Sequence, residues 1–139
     1  MGYHTPRLYG IMFNSGTIDP ADSTAYHVGF NAGVAPGSYA ASVQYAPYSG
    51  HIRIAQILIG AYTVIGTAED WSWYLRINDT TDYLIGTVAT LARVRSVLTS
   101  DLNIPIKAGD GLALKCTTPI WVTNPTGVRI GGMIHIECE

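Results

Sequence analysis

An antiparallel all-β fold of about eight to ten strands is what this sequence predicts, on three observations. First, WSWYLRIN (71–78), LNIPIKAGDGLALKC (102–116) and VRIGGMIHIEC (128–138) each place apolar residues at every second position. That is the pattern of strands with one buried face. Second, turn signals separate such segments about every 8–12 residues, the spacing of a sandwich or a barrel. Third, 15 Gly and 9 Tyr supply many turns and many strands. At 139 residues the chain reads as one domain, 1–139, long enough to bury roughly 68–70% of its unfolded surface.

The elements follow in order. Leu8–Asn14 reads as a first strand, ended by the turn residues Asn14-Ser15-Gly16. From there to Gly50 the pattern weakens, punctuated by Pro20, Pro36 and Pro47 with Gly29, Gly33 and Gly37. Short strands are expected at Tyr26–Phe30 and Tyr39–Tyr45. Residues 1–49 are thus an irregular N-terminal part, and 50–139 the best-patterned region. In His51–Gly66, Ile52 and Ile54 alternate with His51 and Arg53, and the run then becomes apolar on both faces through Ile57, Leu58 and Ile59. A strand apolar on both sides belongs at the centre of a sandwich or at a subunit interface. Trp71, Trp73, Leu75 and Ile77 share one face of the next strand; Ser72, Tyr74, Arg76 and Asn78 share the other. Asn78–Thr81 is a turn, and Tyr83–Val88 follows.

Gly86–Leu98 admits a helix, with Val88, Leu91, Arg95 and Leu98 on one face, or a strand, in which Val94, Ser96 and Leu98 alternate with Arg93, Arg95 and Val97. The β-branched content and the surrounding pattern favour the strand. Leu102, Ile104 and Ile106 alternate with Asn103, Pro105 and Lys107, and the proline marks an edge strand or a strand end. Ala108–Gly111 reads as a hairpin-like turn. Leu112, Leu114 and Cys116, then Ile134, Ile136 and Cys138, complete the inward positions. Gly131-Gly132 is expected to mark a bulge or a close backbone approach.

Composition narrows the function classes. The charged content is 13%, about half the usual ~25%, which suggests surface covered by self-association. The net charge is −2, and of the eight Lys and Arg only Arg93 and Arg95 lie close together. Nucleic acid is therefore not an expected partner. No apolar run is long enough for a membrane-spanning helix, and MGYHTPRLYG is too polar for a signal peptide, so folding in a cytoplasm is expected. Cys116 and Cys138 read as reduced thiols on strand faces; whether they pair is open. Without a CxxC spacing they suggest no zinc site.

Catalytic signatures are absent from the sequence. There is no G-x-S-x-G elbow, and His4, His27, His51 and His135 fall in four separate elements. Asp79, Asp82, Asp101 and Asp110 are too sparse for a calcium loop. Glu69-Asp70 reads as a solvated turn, and Gly131-Gly132 lacks the helix and lysine of a phosphate loop. No catalytic residue, metal ligand or cofactor is nominated, and an enzyme is not expected. Aromatic rings are the best binding candidates. Trp71 and Trp73 share the phase of Leu75 and Ile77 and so belong to the core. Trp121, between Ile120 and Val122 near two prolines, is a loop anchor, an interface residue or a glycan contact.

An ordered set of motifs in Gly50–Glu139 carries a family resemblance: SGHIRIAQILIG, YLRIN with its polar turn, LNIPIKAGDGLALKC, and TPIWVTNPTGVRIGGMIHIE. Together they resemble the trimeric jelly-roll virion proteins of tailed bacteriophages, which look like tumour-necrosis-factor and C1q head domains. The resemblance implies an antiparallel jelly-roll β-sandwich, a homotrimer packed around a threefold axis, and a place in the virion. The partners it implies are the chain itself and a major capsid or other virion protein. With no coiled-coil or repetitive stalk in the sequence, the balance falls on a capsid decoration or cement protein, with the receptor- or carbohydrate-binding head of a fibre as the alternative. On this reading the doubly apolar strand, with Ile54, Ile57, Leu58, Ile59 and Tyr62, is the candidate trimer interface. Tyr3, His4, Arg7, Tyr9 and Phe13 form the candidate docking segment, and Trp121 is the candidate glycan contact.

Overall fold

Period-two alternation builds two antiparallel sheets whose apolar faces meet. The structure, a computed structural model, describes residues 7–29, 37–64, 67, 69–89 and 96–138, with only the backbone of Tyr62, Val64 and Ser96. Among them are nine strands: β1 (Arg7–Asn14), β2 (Ala25–Val28), β3 (Gln44–Tyr45), β4 (Gly50–Val64), β5 (Asp70–Ile77), β6 (Thr81–Ala89), β7 (Ser96–Ile106), β8 (Gly111–Thr117) and β9 (Thr126–Cys138). One helical turn, α1 (Tyr39–Ser42), completes the described elements. The sheets run β1-β9-β4-β7 and β2-β8-β5-β6, with β3 added beside β2 on the same edge of β8.

The topology is that of a jelly roll, one long antiparallel ribbon folded back on itself. Its tip is the β5–β6 hairpin, and its successive rungs are β4 with β7, β2 with β8, and β1 with β9. Rolling the ribbon sends alternate rungs into alternate sheets, and β4 with β9 and β5 with β8 then pair across the roll. The tip is closed by Thr80 N–H donating to Ile77 O, with Asn78 and Asp79 both at a φ of 53°. Asn and Asp tolerate this left-handed backbone better than other non-glycine residues.

The core lies between the sheets. One sheet contributes Phe13, Ile57, Ile59, Ile130, Ile134 and Ile136, the other Trp71, Trp73, Leu75, Leu112, Leu114 and Cys116, all buried. The face of β5 read from the sequence is the face the fold buries. β7 is an edge strand, as Pro105 requires, since its missing N–H would leave a gap in a central ladder. Both flanks of the ambiguous segment are strands, β6 and β7; its centre, 90–95, lies outside the described residues.

Three local expectations are corrected, and of the two alternatives at Gly131-Gly132 one is borne out. Ile52 and Ile54 do not share a face: the register of β4 shifts between them against both neighbours, so Ile52 points inward, Ile54 outward, and Ala55, Ile57 and Ile59 resume the inner face. A bulge reverses the period-two phase, and alternation alone cannot show where it does so. Residues 39–45 are not one strand: the Ser38 side chain caps α1 by accepting from the Ala41 N–H, and only Gln44–Tyr45 is extended. The Ala108–Gly111 turn joins β7 to β8, which lie in different sheets, so it is a crossover and not a hairpin. Its Gly109, at a φ of 90°, supplies the backbone freedom. Finally, β9 runs in register through Gly131 and Gly132, with no bulge there. A Cβ on Gly132 would lie 3.0 Å from the Gln56 carbonyl oxygen, a close approach.

A tighter approach occurs at Gly50, where a Cβ would strike the backbone carbonyl of Glu137. Gly50→Ala is expected to cost about 1–3 kcal/mol, the usual range for overpacking. Urea denaturation checks this, and an unchanged midpoint would contradict the β4–β9 contact.

Candidate assembly surfaces

The two outward sheet faces differ in character. On the β2-β8-β5-β6 sheet, β5 and β8 present Tyr74, Arg76 and Lys115, which an ion network ties together. Arg76 donates to Asp79 and to Asp82, each at 2.9 Å, and Lys115 Nζ donates to Asp82 at 2.7 Å. Lys115 also sits 5.8 Å from the centroid of the Tyr74 ring. Partial burial would raise the Asp82 carboxyl, but hydrogen bonds from Lys115 and Arg76 outweigh it and hold the group below its ordinary value. The α1 segment covers the lower part of this face, laying Tyr39 and Val43 over Gly111. His27 lies beside it, 6.2 Å from the Tyr39 ring, and burial lowers its pKa.

The outward face of β1-β9-β4-β7 mixes exposed apolar residues with polar and charged ones, among them Arg53, whose guanidinium lies 3.4 Å from Glu137 and donates to Asn103. Registered rows place Met12, Met133, Gln56 and Thr99 side by side, then Asn14, Gly131, Leu58 and Val97. Leu8, Met12, Leu58 and Val97 are 38–69% exposed. A Cβ on Gly131 would meet nothing within 4 Å, so the middle of the sheet is shallow. His135 and Gln56, 3.1 Å apart, are the polar pair in the centre of the face.

At the end of the sandwich beyond Asn14 and Thr117, the β8–β9 connection is clamped from below. Trp121 is 5% exposed, its ring 5.3 Å from that of Trp71 in an edge contact. The Trp121 backbone N–H donates to Asp22 Oδ1 at 3.1 Å, and the Val122 backbone N–H donates to Glu69 Oε1 at 2.8 Å. Thr67 hydrogen-bonds Glu69 as well and, with Val122, holds that carboxyl below its usual pKa. Thr118 Oγ1 donates to Ala21 O at 2.6 Å and accepts from the Thr24 N–H at 2.8 Å. Ile120 and Val122, on either side of the anchored tryptophan, are 74% and 83% exposed.

The opposite end carries a half-open cleft of ≈ 350 Å³ lined by Arg7, Leu8, Tyr9, Tyr48, Ser49 and Cys138. Tyr9 donates to Tyr48 O at 3.0 Å, and burial raises its pKa. Asp110 ties the turns at this end: its carboxylate accepts from the Lys107 N–H at 2.8 Å and from Asn78 Nδ2 at 3.0 Å, which lowers its pKa.

The residues nominated from sequence are dispersed over this framework. Of the interface set, Ile57 and Ile59 point into the chain's own core, and Ile54 and Leu58 point outward on the open face. The Tyr62 side chain lies outside the described residues. In the docking set, Phe13 is a core residue, Tyr9 lines the cleft and Arg7 is exposed at its rim. Tyr3 and His4 lie outside the described residues. Trp121 is the loop anchor, with no ring face open to a sugar. Both cysteines are free; Cys116 is buried, and burial pushes its thiol up to about 12. Among the described residues, no group of three or more His, Cys, Asp or Glu is placed to hold a metal ion.

Leu8, Met12 and Val97 were not nominated, although the signal was present. β1 reads RLYGIMFN, apolar in both phases like β4. No family model matches the chain, and no curated protein does.

Two predictions follow from the clamps. Trp121→Ala is expected to cost about 3–5 kcal/mol in unfolding free energy; a loss of less than about 1 kcal/mol by chemical denaturation would remove Trp121 from the core. Asp82 and Asp110 have folded pKa values below 3.8, so their stabilisation is complete above that value and is lost as pH falls through the folded one. Unfolding free energy should therefore fall with acid below about pH 4. Asp110→Asn should flatten that slope, and urea midpoints from pH 5 downward, identical in slope for both proteins, would refute the linkage.

Proposed function

We propose that the protein is a structural virion protein of a tailed bacteriophage, a homotrimeric jelly roll that decorates or cements the head. The observation that carries the reading is the set of exposed apolar residues, Leu8, Met12, Leu58 and Val97, on the outward face of β1-β9-β4-β7. An antiparallel sheet needs only one buried face. Exposed apolar residues on the outer side of this sheet, in a chain of 13% charged residues, are explained by packing against neighbouring copies. The motifs of Gly50–Glu139 that resemble phage virion jelly rolls support the same arrangement.

The proposed role is mechanical. Burial of the outward aliphatic residues would hold the trimer together at roughly 25 cal/mol per Å². Three linked copies then dock on a repeating shell with avidity, each contact raising the effective concentration of the next. The work is spread over surfaces and rests on no single reactive group.

Light scattering behind a sizing column is expected to give the mass of three chains. Met12→Asp combined with Val97→Asp, both on the open face, should give a folded monomer with unchanged far-ultraviolet circular dichroism. A wild-type monomer would overturn the trimer. Absence of the chain from purified virions of its virus would overturn the virion assignment.

A further inference from the structure

We infer that the cleft beside Arg7 is a binding site for a small organic carboxylate, whose apolar body lies against the Tyr9 and Tyr48 rings and whose charged end meets the Arg7 guanidinium. The cleft forms where the core opens. On β1, Phe13 and Ile11 are buried, Tyr9 is half-buried, and Arg7, next in the same phase, is exposed. Residues in one phase of a strand share one face, so the inner face of this sheet runs out into solvent at Arg7. Cys138 is the partner of Arg7 across the ladder, and Tyr48 and Ser49, just before β4, complete the lining with Leu8. The walls are set before any ligand arrives. Tyr9 O–H donates to Tyr48 O at 3.0 Å, and the two rings meet edge-on at 6.0 Å and 71°. Ser49 Oγ accepts from the Ala108 N–H at 3.0 Å. Binding therefore does not have to order these side chains. The volume of ≈ 350 Å³ falls within the range of small-molecule clefts, roughly 300–1,000 Å³.

The polar groups left over select the charge of the ligand. The Tyr9 hydroxyl hydrogen is already given to Tyr48. What remains is the Ser49 hydroxyl hydrogen and the Arg7 guanidinium, which makes no ion pair and no side-chain hydrogen bond among the described residues. Both are donors, and one is a permanent cation. No carboxylate is among the residues that line the cleft. A cationic ligand would be repelled, and a neutral one would leave the guanidinium unpaired. A carboxylate matches its planar fork of N–H groups. The rest of the ligand meets Leu8, Tyr9 and Tyr48, so it is apolar, and an aromatic ring suits the two tyrosines. Arg129 provides the contrast: its guanidinium donates to Thr17 Oγ1 in a hollow shared with Thr63 and Gly127, with no ring beside it. The site requires neither the trimer nor the virion. Leu8, at its edge, lies at the other end of the outward face from Leu58 and Val97.

The test titrates 3-phenylpropionate into the full chain and follows amide chemical shifts, with 3-phenylpropanamide and inorganic phosphate as comparisons. The expected result is movement of the Tyr9, Ser49 and Cys138 amides by 3-phenylpropionate with a Kd below about 1 mM. The amide should bind at least about 10-fold more weakly, and phosphate should leave those signals in place. Arg7→Gln, at an exposed position, should reduce the affinity for the acid to that for the amide, and Arg129→Gln should leave it unchanged. Equal binding of acid and amide would overturn the inference, as would full affinity in Arg7→Gln or no movement of the cleft amides with any probe. Phosphate binding as tightly as 3-phenylpropionate would also overturn it, since the apolar walls would then contribute nothing.

Discussion

The indole of Trp71 is the contact on which both the sandwich and the β8–β9 loop depend. It stacks on Trp73 at 5.9 Å and 13°, and meets Trp121 edge-on at 5.3 Å and 66°. Trp71 and Trp73 are alternate residues of β5, so their stacking fills the inner face of one sheet. Trp121 comes from the β8–β9 connection, so its contact with Trp71 ties that loop to the same core. Aromatic pairs of this kind contribute about 0.5–1.5 kcal/mol beyond their buried area. Against that, the indole N–H groups of Trp73 and Trp121 are buried without an acceptor among the described residues, at a cost of about 1–3 kcal/mol each. The burial of three large rings outweighs it, and the arrangement holds a surface loop with core-like rigidity.

That coupling gives the molecule a division of labour. The charged outer face of one sheet is satisfied within the chain, by Arg76, Lys115, Asp79 and Asp82 and by the α1 segment. The outer face of the other sheet leaves Leu8, Met12, Leu58 and Val97 exposed among paired polar groups such as Arg53 with Glu137 and His135 with Gln56. A third region, the clamped loop, displays two aliphatic side chains whose backbone the chain has already ordered. Extended sheet faces give area, and loop tips give local fit.

By itself, the sequence determined the strand-rich class and the inner face of β5, and it narrowed the Pro105 segment to an edge strand or a strand end. Each of these is local: a side chain's phase along a strand, or a proline's missing donor, is fixed by its immediate neighbours. Only the tertiary structure decided which apolar phase of a doubly apolar strand is core and which is surface. Ile54 and Ile57 are both isoleucines in one strand, yet the register shift after Ile52 turns the first outward and leaves the second inside. Likewise Phe13 and Met12 are adjacent apolar residues with opposite fates, because β1 pairs with β9 and offers only one side to the second sheet. The exposure of Ile120 and Val122 was equally hidden, since it follows from Trp121 reaching a ring 50 residues away in the chain. Alternation records that a residue is apolar; what it touches depends on how the ribbon is rolled, and that is set by contacts distant in sequence.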